Sequence, residues 1–270
     1  MTAERDSDVT IRRRRFRVRI RPGTSGATPL VLLNGIGARL EVLQPLVDEL
    51  SRDGDVVRVD MPGVGGSAAP RVPYSLATLS MTLMDVLGRL GYGAVDVLGF
   101  SWGGALAQHL AVQHPRRVRR LVLAATASGV LSVPASPQTL VRMATPRRHR
   151  DPVYAARIAP TLYGGTMRQA PTEAASLLHA ASRHGARRAY YYQLLAASGW
   201  SSLPFLPLLR QPTLILAGDD DPLIPLANAR LMARLIPHAQ LHTYAGGHLA
   251  LVTDAATLGP VIDRFRAAPD

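Results

Sequence analysis

The chain contains neither cysteine nor lysine. Without cysteine it has no disulfides, no thiolate nucleophile and no lipid-modified cysteine anchor. Without lysine, all 31 basic residues are arginines, and the formal net charge is +12. Such uniform use of arginine points to compositional bias rather than selection at one site. The clusters at 12–15, at 116, 117, 119 and 120, and at 147, 148 and 150 therefore read as solvated faces, or as weak contacts with an anionic surface. No helix-turn-helix, RNA-recognition or zinc motif organises them, so no nucleic-acid partner is expected. Aromatic residues make up only 5% of the chain. No run of ~20 uninterrupted apolar residues is present to span a bilayer. After Arg12–Arg15 the chain alternates charged and apolar residues (Phe16-Arg17-Val18-Arg19) where a secretory leader needs an apolar segment, so a cytoplasmic protein is expected. P-loop, paired Cys-x-x-Cys and His-Glu-x-x-His motifs are absent, and neither a metal nor a cofactor is expected.

What is present is concentrated in one pentapeptide. Gly99-Phe100-Ser101-Trp102-Gly103 follows a short apolar run, 94–98, and precedes a helical pattern from Gly104. This is the strand–turn–helix setting of a nucleophile elbow. The glycines let strand and helix approach closely, and the turn aims at a helix N-terminus that favours developing negative charge. A serine hydroxyl needs a base to take its proton and a third group to orient that base. In this arrangement the partners follow in the order acid, then histidine. The apolar run 212–217 ends in Gly218-Asp219-Asp220-Asp221-Pro222, and the alternating run 240–244 leads into Ala245-Gly246-Gly247-His248. Both lie just past strand ends, where open α/β sheets place their sites. Of the three aspartates, Asp221 stands three residues after the strand-closing glycine and is the expected acid; Asp219 and Asp220 suit turn or cap roles. Among the eight histidines, only His248 follows a late strand in a glycine-rich loop. His109, His114, His149, His179, His184, His238 and His242 do not.

Oxyanion stabilisation needs two backbone N–H groups. The N–H of Trp102 follows the serine, and the N–H of Ile36 lies in the glycine-bearing loop after the run 30–33, where Asn34 is expected to orient the loop. The segment Asp60-Met61-Pro62-Gly63-Val64-Gly65-Gly66-Ser67 reads as a structural turn near the pocket mouth and not as a dinucleotide fingerprint. A β-rich ribbon over about 10–21, strands near 30–34, 55–59, 94–99 and 120–125, and helical patterns at 40–50 and 76–90 alternate as in a mostly parallel sheet. Roughly 85 residues then separate the 120–125 strand from the next one at Thr213, far more than a crossover loop needs. A mainly helical cap over 128–209, inserted into a core of 1–127 and 210–270, is the expected arrangement. Tyr154, Tyr163, Tyr190, Tyr191, Tyr192 and Trp200 all fall in that insertion. Tyr163, Tyr191 and Trp200, with Asn34 and Leu249, are candidate pocket residues, the alternative being that the aromatics pack the cap onto the core.

Several longer motifs carry a resemblance. They are Asn34–Ala38, Asp60–Ser67, Ser101–Gln108, Leu121–Ala127, Ile158–Gly165 and Ala217–Pro225. Over about 17–266 the chain resembles the intracellular medium-chain-length polyhydroxyalkanoate depolymerases, which have the α/β-hydrolase fold. The resemblance implies a mostly parallel central sheet flanked by helices, a cap, a Ser101–Asp221–His248 triad, no cofactor, and cleavage of a hydrophobic polyester, with the storage-granule surface as a partner. It departs at Ala245 and Gly246, where relatives tend to carry acidic residues, and at Ala250, where they tend to carry an aromatic. A general carboxylesterase, a carbon–carbon bond hydrolase or a cofactor-free perhydrolase would use the same residues. Aspartate-nucleophile dehalogenases and epoxide hydrolases would not, since position 101 is serine. A non-catalytic binding protein on this scaffold would have no need of all three residues.

Overall fold

The computed structural model describes residues 3–170, 172 and 187–269. Eight strands among them form one sheet in the order β1-β2-β4-β3-β5-β6-β7-β8. The strands are β1 (Arg5–Ile11), β2 (Arg14–Arg21), β3 (Ala27–Leu33), β4 (Gly54–Val59), β5 (Val95–Phe100), β6 (Val118–Ala124), β7 (Thr213–Gly218) and β8 (Ala239–Tyr244). β1, β2 and β4 pair antiparallel, and β4, β3, β5, β6, β7 and β8 pair parallel. The central strands are apolar runs because both of their faces are covered: β5 and β7 are buried at every residue.

On one face lie α2 (Leu76–Arg89), α3 (Trp102–Gln113) and α7 (Leu226–Leu235), whose apolar residues join Val97, Leu121, Leu123 and Ile215. On the other face, α1 (Gln44–Glu49) and α9 (Ala255–Ala267) pack on Leu98, Val122 and Leu214. The helical pattern at 40–50 divides in two: residues Leu40–Leu43 form a 3₁₀ turn and α1 follows, with Pro45 at its start. Proline is suited to a first helical turn and not to a helix interior, which accounts for the break. The N-terminal ribbon is longer than 10–21 and begins at Arg5. Between β6 and β7 the described chain holds α4 (Pro137–Met143), α5 (Pro152–Tyr163) and α6 (Arg187–Ser198), with short 3₁₀ turns between them. A four-residue helix α8 (Ala250–Thr253) precedes α9.

Many of the arginines have structural partners. Arg17 bonds Asp6, Asp60 and Glu41, and Arg58, almost fully buried, meets Glu4 at 2.7 Å. Buried Asp96 on β5 receives Arg119 of β6 at 2.8 and 2.9 Å and Arg266 of α9 at 3.0 Å. Removing that carboxylate takes the buried anion from two partly buried cations, leaving Arg119 on the Arg266 carbonyl and Arg266 on the Thr28 carbonyl with a longer pair to Asp263. Asp96→Ala is therefore expected to lower unfolding free energy by about 3 kcal/mol in urea titration. A loss below about 1 kcal/mol would mean that solvent already screens both arginines. Among the described residues, no helix is long and apolar enough to cross a membrane.

Candidate active site

The turn after β5 is shaped by what cannot fit beside it. A Cβ on Gly103 would stand 2.1 Å from the Leu33 carbonyl oxygen, and one on Gly99 would stand 2.5 Å from the Gly103 oxygen. Ser101, at the top of this turn, adopts φ 53° and ψ −119°, a conformation that costs a non-glycine residue on the order of 1–3 kcal/mol. Its backbone is held from several sides. The Ser101 N–H donates to the Ala124 carbonyl at 2.9 Å, and the Ser101 carbonyl accepts from the Gly104 N–H and the Thr126 hydroxyl, both at 2.8 Å.

From there a chain of hydrogen bonds runs inward. Ser101 Oγ lies 3.0 Å from His248 Nε2, and His248 Nδ1 lies 2.8 Å from Asp221 Oδ2. The other Asp221 oxygen, Oδ1, accepts the N–H groups of Leu223 and Ile224, both at 2.9 Å. His248 and Asp221 are buried. The His248 ring sits between Phe100, 5.3 Å away, and Tyr163, stacked at 6.1 Å, and its backbone N–H donates to the Tyr163 carbonyl at 2.7 Å.

The three consecutive aspartates do three different things. Asp219 accepts the Gly246 N–H at 3.0 Å and so closes one loop onto the other. Asp220 accepts the Gly165 N–H at 2.7 Å and pairs with Arg168 at 2.7 and 2.8 Å; the Arg168 bonds, then the Gly165 bond, lower its pKa to about 2. Only Asp221 reaches the histidine. Of the other described histidines, His109 accepts the Trp200 indole N–H at 3.2 Å, and burial lowers the pKa of both His109 and His114. His179 and His184 lie outside the described residues.

Ser101 stands where two cavities meet. The larger, about 480 Å³, is bordered by Trp102, Val130, Val133, Leu140, Leu194 and Trp200 among others. The smaller, about 40 Å³, is bordered by Phe100, Arg148, Tyr163, His248 and Leu249 among others. Ile36 borders both, and the Trp102 N–H is the first of α3, with no acceptor inside the helix.

Two candidate pocket residues fall outside these cavities. Asn34 is buried but spans its own loop, its Nδ2 donating to the Arg39 carbonyl at 2.6 Å and its Oδ1 accepting the Gly35 N–H at 3.0 Å. Tyr191 is 41% exposed, because on α6 it is turned away from the face that buries its neighbour Tyr190. Two residues near the serine were not singled out from sequence. Gln193, also on α6, accepts the Gly37 N–H at 2.8 Å and the Trp102 indole N–H at 2.9 Å, through its side chain and its carbonyl respectively, and so ties both sides of the serine to one helix. A helical residue in an Arg/Tyr-rich stretch carries no local signal for that. Arg148 is the other.

The sequence profile of the α/β-hydrolase fold matches residues 28–255. The chain belongs to the α/β-hydrolase family. It is 49% identical to a poly(3-hydroxyalkanoate) depolymerase of Ectopseudomonas oleovorans over 93% of this chain and 88% of that one. It is 30% identical to a 2-hydroxymuconate semialdehyde hydrolase of Pseudomonas putida over 80% of this chain and 78% of that one. Among solved structures, the enol-lactonase of Burkholderia xenovorans superposes with a TM-score of 0.84 at 24% identity, covering 97% of this chain and all of that one. The family membership fixes the chain as a hydrolase.

Proposed function

We propose that this hydrolase cleaves the ester bonds of medium-chain poly(3-hydroxyalkanoate) through an acyl-enzyme on Ser101. Ester hydrolysis as such follows from the family and the depolymerase relative. The polyester reading is carried by the apolar cavity that ends at Ser101, together with its exposed apolar rim of Val130, Leu131, Val133, Leu140 and Val141. In this reading, residues 128–209 are a cap that builds one wall of that cavity. The rim meets the surface of a stored granule in the cytoplasm.

In this reading each step is assigned to a named group. His248 Nε2 takes the Ser101 proton as Oγ attacks the ester carbonyl, and the N–H groups of Ile36 and Trp102 hold the oxyanion. His248 returns the proton to the departing hydroxyl, and water, activated the same way, releases the acyl group. Asp221 remains ionised throughout. It keeps the imidazole proton on Nδ1, so that Nε2 is free to accept.

The test is turbidity loss of a poly(3-hydroxyoctanoate) suspension beside cleavage of p-nitrophenyl octanoate. Clearing by wild type and not by Ser101→Ala is the expected result. Cleavage of the small ester without clearing would leave a carboxylesterase and overturn the polyester assignment.

A further inference from the structure

The small cavity beside Ser101 contains a charge without a counter-charge. Arg148 is 5% exposed and stands in a 3₁₀ turn between α4 and α5. Its Nη1 donates to the Thr145 carbonyl at 3.2 Å and to the Tyr190 hydroxyl at 2.8 Å, and the guanidinium lies 5.3 Å from the Tyr190 ring centre. Among the described residues its Nε has no hydrogen-bond partner. No carboxylate among the described residues pairs with it. The Nε atoms of buried Arg58 and Arg21 are likewise without a partner among the described residues, but Arg58 meets Glu4, and Arg21 donates to the carbonyls of Val47, Leu50 and Ser51. Neither of them borders the cavity that Ser101 and His248 share with Arg148. An uncompensated buried cation is costly unless something supplies the anion. Here the open space next to it leads to the candidate nucleophile.

We propose that Arg148 binds the free carboxylate of the substrate's terminal 3-hydroxy acid unit, so that the ester cut at Ser101 is the one nearest the carboxyl end of the chain. The inference rests on the polyester reading above and assigns the two cavities to the two sides of the scissile bond. His248 borders the small cavity and not the large one, so the small cavity lies on the side where the departing oxygen is protonated. The large apolar cavity then takes the acyl portion, which becomes bonded to Ser101 Oγ as the C–O ester bond breaks. The leaving group is the terminal 3-hydroxy acid. Its new hydroxyl carries the proton from His248, and its carboxylate, already ionised, faces the guanidinium. Arginine suits the task because its planar fork offers paired donors to a carboxylate and stays charged when buried.

The experiment compares the linear dimer of 3-hydroxyoctanoate as its free acid with the same dimer as its methyl ester, following cleavage of the internal ester by chromatography. Wild type is expected to cleave the acid with a kcat/KM at least about tenfold higher. That ratio should fall to about one in Arg148→Gln, and Arg148→Lys, which keeps a point charge but loses the fork, should fall between. Equal rates on the two dimers by wild type would overturn the carboxylate assignment and leave the polyester reading standing. If neither dimer is cleaved, the polyester reading fails. The pocket is then judged by inhibition of p-nitrophenyl octanoate cleavage by 3-hydroxyoctanoate and by its methyl ester. Stronger inhibition by the anion supports the pocket, and equal inhibition refutes it. Because the wild-type comparisons decide the matter, a failure of Arg148→Gln to fold does not.

Discussion

Ser101→Ala is expected to lower ester hydrolysis by about 10⁴-fold or more, with the melting temperature little changed. The size follows from the proposed two-step route: without Oγ the proposed acyl-enzyme cannot form, and only the proposed oxyanion donors and substrate binding would remain to accelerate attack by water. The unchanged fold follows from the local bonding. Among the described residues, the one side-chain bond of Ser101 is to His248, whereas its backbone is fixed by Ala124, Gly104 and Thr126, and all three contacts survive the substitution. Alanine also bears the same positive-φ strain as serine. Ser101→Gly separates the two effects: it should be equally inactive but more stable by on the order of 1 kcal/mol, because glycine occupies φ 53° without the Cβ conflict. Labelling by a fluorophosphonate, read as an added mass on the peptide containing residue 101, supplies the positive counterpart. Retention of more than about 1% of the wild-type rate by Ser101→Ala would place the nucleophile elsewhere.

Much of this arrangement can be read from the chain because its signals are short-range. The runs 95–100 and 213–218 are apolar at nearly every position since the sheet is covered on both faces, and the glycines around Ser101 stand where backbones meet at less than a side chain's width. The motif Ile158–Gly165 has a tertiary cause instead. A Cβ on Gly164 would meet the Asp220 oxygen at 1.9 Å, and one on Gly247 would meet the Tyr163 oxygen at 2.2 Å. The segment between β6 and β7 therefore bears directly on the loops carrying the acid and the histidine, and its glycines answer to that contact.

What composition alone does not resolve is rotation about a short helical axis. Arg147, Arg148 and Arg150 look equivalent in sequence, but the 3₁₀ turn over 146–149 directs only Arg148 into the interior, while Arg147 pairs at the surface with Asp151. The same holds for Tyr190 and Tyr191, adjacent on α6 and about 100° apart around its axis: the first is buried and the second is exposed. Tertiary contacts set these phases, and a run of like residues carries no trace of them.

Asp221→Asn is expected to lower kcat/KM at neutral pH by about 10⁴-fold, whereas Asp219→Asn and Asp220→Asn should each remain within about tenfold of wild type. The difference follows from which atoms face which. Asp221 Oδ1 accepts two backbone N–H groups, from Leu223 and Ile224, so an amide at this position must keep its oxygen there. Its NH₂ group is then forced toward His248 Nδ1, 2.8 Å from the replaced oxygen. Two donors cannot face each other, so the imidazole shifts its proton to Nε2. In that tautomer His248 donates toward Ser101 Oγ and cannot take its proton. The amide leaves the packing intact and reverses the one hydrogen bond that matters for proton transfer. Asp219 and Asp220 act on loops instead: asparagine can still accept from Gly246 or Gly165 through its oxygen, and what Asp220→Asn loses is a largely exposed pair with Arg168, worth little in water. Measuring all three variants on p-nitrophenyl octanoate makes the comparison internal. A severe loss in Asp219→Asn with a mild one in Asp221→Asn would transfer the orienting role to Asp219 and show that the 2.8 Å contact between Asp221 and His248 does not govern the reaction.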